Sequence, residues 1–327
     1  MYGTRRAPTT RFDPVCAEND MQRMKSIPMD GKTFPSRRAV IGGVAAVAGV
    51  ARAGAALGAS DALRTLPRIG MGTWITFDVG RDAAARDARA DVLRAFFEEG
   101  GRMVDSSPMY GSAEDVMGHC LDRTGRDRVF AASKVWIPSV GFGPEQIAAS
   151  RALWGVERFD LMQVHNLLSY EGHIETLRAM KADGAVGAIG VTTSHGRRHE
   201  RLARIIEADD TLDSVQLTYN ILDREAEARL LPMLAERGRT VIVNRPFRRG
   251  AIIENLRGRP LPGFAAEIGV ETWSQYLLKW ILSHPAAPIA IPATSSVPHM
   301  RENMAAMRGP MPDAAMRARM ADHVRAL

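Results

Sequence analysis

From Arg68 onward the chain repeats one unit eight times: a short apolar run, a turn, then an amphipathic stretch of helical period. The runs are 68–72, 102–105, 129–134, 159–165, 186–191, 214–217, 240–244 and 289–291. They are nearly continuous in apolar character and rich in Val and Ile, as strands buried on both faces are. Helical patterns fall between or after them, near 82–99, 112–123, 144–155, 173–182, 197–208, 224–237, 271–283 and 297–306. Such alternation predicts a parallel sheet with right-handed crossovers. Eight units in one domain predict an α/β fold of the (β/α)8 TIM-barrel class. A doubly wound sheet is the rival, but its dinucleotide-binding form needs a glycine-rich first turn. Gly70-Met71-Gly72 lacks the third glycine, and no other stretch supplies it.

The 327-residue chain has a formal net charge of +6. Residues 1–59 hold nine Lys/Arg and four Asp/Glu, so the body from 60 to 327 is nearly neutral. That distribution, with no basic–aromatic motif, excludes a nucleic-acid binder. Arg37 and Arg38 stand directly before an apolar, small-residue stretch reaching Ala51. The stretch is too short to span a bilayer, which excludes a stable membrane span. Paired arginines, a short apolar run and small residues beyond it resemble a twin-arginine export signal. The expectation is a 1–59 signal region, a 60–327 barrel, contact with the export machinery and a periplasmic location. A basic linker on a cytoplasmic protein is the alternative. The cysteines are Cys16 and Cys120, which excludes a disulfide framework or cysteine-rich metal site in the body, and no metal is expected.

In a barrel, chemistry sits where strands end. Asp105 and Tyr110 follow the second run, Lys134 closes the third, and His165 closes the fourth. Each has a plain structural alternative: a helix cap, a core aromatic, a snorkelling lysine, a satisfied core histidine. Together they make a proton-donating set. Lys134 is one of three body lysines, with Lys181 and Lys279, and it ends an apolar strand where an unpartnered ammonium is costly. Asp105 is its natural counter-ion. A phenol ionises near pH 10, and a neighbouring ammonium is expected to lower that value toward useful general-acid range. A neutral imidazole can orient a carbonyl oxygen.

The chain resembles the aldo/keto reductases through Leu66–Trp74, Asp105–Ser112, Ala132–Trp136, Asp160–Asn166, Gly187–Val191, Val215-Gln216, Ala290–Ser295 and Arg301–Met304. The resemblance implies a barrel that binds NADP or NAD in extended form. It also implies Tyr110 as general acid, supported by Lys134, Asp105 and His165. The family's Ser-Asn pair after the fifth strand is here Thr192-Thr193, while Gln216 is retained as a carboxamide partner. The family's nicotinamide-stacking tyrosine aligns with Asn244. Thr73 and Phe247 fall among the implied cofactor contacts. Arg245, Arg248 or Arg249 can instead reach the pyrophosphate. At the adenosine end Thr294, Ser295, Glu302 and Asn303 are present, but the usual lysine and arginine around a 2′-phosphate are Ala293 and His299, which leaves NADP only slightly favoured.

The implied activity is NAD(P)H-dependent reduction of aldehydes or ketones, or its reverse. A nicotinamide-binding barrel acting as a redox sensor or partner-binding protein without turnover is the alternative. Trp74 and Trp136 are expected to line the pocket for a small carbonyl substrate.

Overall fold

The computed structural model describes residues 59–327. The paired arginines and the apolar stretch after them lie outside the described residues. Helix α1 (Ala59–Arg64) opens the described chain. Eight parallel strands then follow in sequence order: β1 (Met71–Gly72), β2 (Met103–Asp105), β3 (Phe130–Val135), β4 (Phe159–Val164), β5 (Val186–Thr192), β6 (Ser214–Thr218), β7 (Thr240–Asn244) and β8 (Ile289–Ala290). Backbone bonds from Gly70 to Ala290 and from Gly72 to Pro292 close the ring. This is the (β/α)8 barrel expected from the alternation.

The outer helices are α2 (Ala83–Glu98), α3 (Ala113–Thr124), α4 (Gly143–Trp154), α5 (Tyr170–Ala182), α6 (His199–Ala208) and α7 (Leu230–Glu236). The seventh crossover carries two, α8 (Ala251–Leu256) and α9 (Trp273–Leu282), and the chain ends in α10 (Val297–Ala305) and α11 (Ala314–Ala326). The stretch read as a helix near 224–237 is divided: a 3₁₀ turn at Glu225–Ala228 precedes α7. No helix among the described residues is long and apolar enough to cross a membrane.

Strand parity organises the interior. Successive side chains alternate between the barrel lumen and the helices. Met103, Phe130, Ala132, Leu161, Ala188, Ile242, Ile289 and Ile291 form one buried apolar cluster. Leu63 of α1 joins it with no exposed surface, so the opening helix plugs the lumen. One step of two residues further along the same strands come Asp105, Lys134, Gln163 and Asn244. The lumen is thus apolar where strands begin and polar where they end.

The other two body lysines are also committed. Lys181 pairs with Asp213 at 2.6 Å. Lys279 lies on α9 with no exposed surface and donates to the carbonyls of Ile268, Arg308 and Pro310 at 2.7, 2.6 and 2.8 Å. Burial pushes its ammonium below the ordinary lysine value. Three carbonyl dipoles replace water around the charge and tie the approach to α11 onto α9. Lys279→Met keeps the volume but strips three acceptors of their donor. It is expected to destabilise the fold by about 2–4 kcal/mol, since orphaned buried polar groups cost roughly 1–3 each and do so non-additively. Urea unfolding of the two proteins measures the difference.

Candidate active site

Asp105 ends β2, Lys134 lies one residue before the end of β3, and His165 directly follows β4. All three are buried. Lys134 Nζ donates to Asp105 Oδ2 at 2.6 Å and to the Ser106 carbonyl at 2.7 Å. The other carboxylate oxygen, Oδ1, accepts from Gln163 Nε2 at 3.1 Å and Gln216 Nε2 at 2.9 Å. Asp105 is therefore held by side chains from three other strands.

Tyr110 is placed by a rigid turn. Its backbone N–H donates to the Ser107 carbonyl at 2.9 Å. Gly111 follows with φ of 61°, and a Cβ there would lie 2.4 Å from the Asp78 carboxylate, so glycine is required on two counts. Asp78 in turn accepts from Ser112 N–H and Oγ, each at 2.9 Å, fixing the start of α3. The half-buried Tyr110 ring ends with its centroid 5.0 Å from Lys134 Nζ and edge-on to His165, centroids 5.8 Å apart. The four residues singled out as a proton-donating set are thus one cluster.

Electrostatics sharpen their roles. Burial is the larger influence on Tyr110 and raises the phenol above its ordinary value, although Lys134 pulls it down. The sequence-based expectation of a lowered phenol gave the ammonium the greater weight. Burial opposes the charge on Lys134, but Asp105 and Tyr110 beside it leave the ammonium above its usual value. Burial first, then the charge of Lys134, holds His165 well below the ordinary imidazole range. The resting site is a neutral phenol, a charged lysine and a neutral imidazole.

The two tryptophans are both partly exposed at the mouth. Trp136 lies 6.3 Å from the His165 ring, and its backbone is clamped by Gln146, which accepts from its N–H at 2.7 Å and donates to its carbonyl at 3.0 Å. Trp74 carries the Arg249 guanidinium 4.1 Å over its ring. Next to Trp74, Ile75 has φ of 64° and is 61% exposed. A β-branched residue in the left-handed region is strained, and strain of this kind gathers at ligand-handling loops. No local sequence signal marks it.

The implied cofactor contacts divide by their present partners. Thr73 Oγ1 lies 3.0 Å from the Asp105 carbonyl and 2.8 Å from Ser106 Oγ, sharing its single proton between them. Thr192 Oγ1 accepts the Asn166 N–H at 2.9 Å. Asn244 donates to the Thr193 carbonyl at 2.8 Å and to Gln216 Oε1 at 3.4 Å, and accepts from Thr218 Oγ1 at 2.7 Å. Asn244 therefore braces Gln216 through polar bonds. Phe247 packs against the core. Arg248 is occupied by a two-bond pair with Asp223. Arg245 and Arg249 form no ion pair among the described residues, and both point at His195 Nε2, at 2.7 and 3.5 Å. Burial and then these two charges push His195 down to about 4, so it accepts as a neutral ring. Arg245 Nε is buried without a partner. Two guanidinium groups without an ion pair among the described residues, one of them with an orphaned Nε–H, fit a pyrophosphate.

At the far end, Thr294 and Asn303 are buried, Ser295 is exposed, and Glu302 accepts from Ser274 Oγ. Arg301 is paired with Glu98 and Glu99 at 2.7 and 2.9 Å, so it turns away from the neighbouring exposed His299. Ser107, Gln163 and His195 enter the site beyond the residues assigned as contacts from sequence. Strand parity points to Gln163, two residues before His165; the other two lie on loops without such a rule.

The sequence profile described as Aldo/keto reductase family matches residues 68–321. Methylglyoxal reductase YeaE of Escherichia coli is 29% identical over 254 residues, covering 74% of this chain and 86% of that protein. The NADH-specific methylglyoxal reductase of the same organism is 27% identical over 261 residues, covering 69% and 76%. Among solved structures, an aldo/keto reductase from Klebsiella pneumoniae in complex with NADP and acetate superposes with a TM-score of 0.68 at 24% identity, covering 79% of this chain and 92% of that one.

The phenol and imidazole states give a pH signature. Carbonyl reduction needs the phenol protonated and the imidazole neutral. The raised phenol keeps its proton into alkaline solution, and the depressed imidazole stays neutral into acid. Reductive kcat/KM is expected to be flat from about pH 5.5 to about 10, and to fall only above that as the raised phenol ionises. A step near pH 6.5 that disappears in His165→Gln would contradict this assignment.

Proposed function

This chain belongs to the aldo/keto reductase family, and from that premise we propose how its own residues carry out NAD(P)H-dependent reduction of small aldehydes and ketones. The observation that carries the proposal is the closed set of Tyr110, Lys134, Asp105 and His165 at the strand ends. A bound nicotinamide cofactor supplies the hydride. Gln216 and Thr193 would hold its carboxamide, Arg245 and Arg249 its pyrophosphate, and Thr294, Ser295, Glu302 and Asn303 its adenosine end.

The chain's part is proton supply and orientation. A carbonyl oxygen between Tyr110 and His165 meets two neutral donors. As negative charge develops on that oxygen, the phenol gives up its proton, and the fixed charge of Lys134 stabilises the phenolate left behind. Asp105 keeps the ammonium in place, so the phenolate receives a preoriented charge. Trp74 and Trp136 form apolar walls beside the reacting carbon. Small 2-oxoaldehydes, which the names of two relatives specify, are the first substrates to try. A complete proton-donating set disfavours a sensor without turnover.

Tyr110→Phe removes one hydroxyl and the reaction's proton. It is expected to lower kcat by roughly a hundredfold or more while leaving cofactor affinity within about twofold. Stopped-flow reduction and fluorescence titration of the cofactor read the two quantities. Near-normal turnover in that variant would overturn the mechanism.

We also propose that Arg37 and Arg38, with the apolar stretch to Ala51, direct twin-arginine export to the periplasm, against a cytoplasmic alternative. Cleavage near Ala55 would spare α1, whose Leu63 fills the lumen. The expected result is a truncated protein in the periplasmic fraction by intact-mass spectrometry, lost when both arginines become lysine. Full-length protein confined to the cytoplasm in both cases would refute export.

A further inference from the structure

His165 can hold a carbonyl oxygen only if the ring nitrogen facing the mouth carries the proton. We infer that Ser107 makes that choice, acting as the positioning residue that fixes His165 in its Nε2–H tautomer. Ser107 Oγ lies 2.9 Å from His165 Nδ1. Ser107 has no exposed surface and His165 only 5%. The same hydroxyl accepts the backbone N–H of Met109 at 3.3 Å.

Proton counting then decides the tautomer. A serine hydroxyl has one proton to give and two lone pairs to fill. If Nδ1 carried the ring proton, Ser107 would accept from both Nδ1–H and Met109 N–H. Its own O–H would then meet no acceptor among the described residues in a fully buried place, a loss of roughly 1–3 kcal/mol. If Nδ1 is bare, Ser107 donates to it and accepts from Met109, and every group is satisfied. The cationic ring, with protons on both nitrogens, is disfavoured by burial and by the charge of Lys134. The remaining proton belongs on Nε2. That nitrogen has no hydrogen-bond partner among the described residues and is not among the buried orphaned atoms, so it opens toward the mouth.

The consequence is a second fixed donor beside the Tyr110 phenol. Without Ser107, Nδ1 has no partner and the ring is free to exchange tautomers. The fraction of molecules presenting Nε2–H then falls, and with it the fraction able to orient the carbonyl. The Ser107 hydroxyl bonds only His165 and the Met109 N–H among the described residues, and the Ser107 carbonyl that accepts the Tyr110 N–H is retained in Ser107→Ala.

The purpose of this device rests on the carbonyl-reduction reading, but its first test does not. Nitrogen-15 NMR of histidine-labelled protein without cofactor, with His165 assigned by its loss in His165→Gln, reports the tautomer directly. The expected result is protonated Nε2 in the wild type and a mixed or reversed state in Ser107→Ala. Reductive kcat/KM of Ser107→Ala is expected to fall with the fraction of Nε2–H lost, about twofold for an even mixture and about tenfold for a reversed one, with cofactor affinity unchanged and the melting temperature a few degrees lower as His165 Nδ1 and the Met109 N–H lose their partner. Protonated Nδ1 in the wild type, or an identical tautomer in Ser107→Ala, would overturn the inference even if Tyr110→Phe is inactive. An active Tyr110→Phe would instead overturn the reduction mechanism and leave the tautomer result standing.

Discussion

The polar network at the strand ends is built around the buried pair of Lys134 and Asp105. Two charges taken out of water are costly, and removing one partner of such a pair typically costs about 3–5 kcal/mol. The structure offsets that cost with hydrogen bonds. Asp105 receives Lys134 from β3, Gln163 from β4 and Gln216 from β6, while Lys134 also reaches the Ser106 carbonyl. One carboxylate thus gathers side chains from three strands besides its own. Gln216 is braced in turn by Asn244 of β7. The residue aligned with a stacking tyrosine in the resembled family therefore extends the network that steadies Asp105.

The same pair sets the chemistry of its neighbours by opposite routes. The field of Lys134 reinforces burial at His165, since both disfavour the imidazolium. At Tyr110 the two influences oppose each other and burial is larger. A phenol poised this way holds its proton until charge appears on the substrate oxygen. Lys134 then matters less for lowering the resting phenol than for stabilising the phenolate once the proton has left. The sequence showed the right partners; the balance between them required knowing how deeply the ring sits.

The barrel was legible because its strands carry their burial in their composition. Eight apolar runs between amphipathic stretches leave few alternatives, and observed boundaries depart from the runs mainly at β1, which begins three residues after the start of its run, where the ring closes. The four clustered residues were legible because each is chemically unusual at a strand end. What escaped depends on contacts between distant segments. Lys279 looks like any helical lysine until the carbonyls of 268, 308 and 310 surround it. Arg248 and Arg249 are adjacent in sequence, yet Asp223 neutralises the first while the second lies over Trp74. Ser107 is one of two successive serines, and only the fold decides that it faces His165 while Ser106 receives the Thr73 hydroxyl.

Charge placement gives the mouth its character in an otherwise nearly neutral body. Arg245, Arg248 and Arg249 all take positive φ, at 54°, 49° and 61°. Left-handed backbone at three arginines in five residues is expensive, and glycine would be the relaxed choice. The conformation brings two guanidinium groups to one neutral histidine. His195 continues the chain through Ser194 Oγ at 3.0 Å to Asn166 Oδ1 at 3.1 Å, beside His165. An anion bound at the arginines would relieve their mutual repulsion and compete with His195 for their donors. The polar path from that histidine ends one residue from the catalytic imidazole. The orientation of the His165 ring itself rests on Ser107, which bonds the ring directly, and not on this path, which stops at the Asn166 side chain.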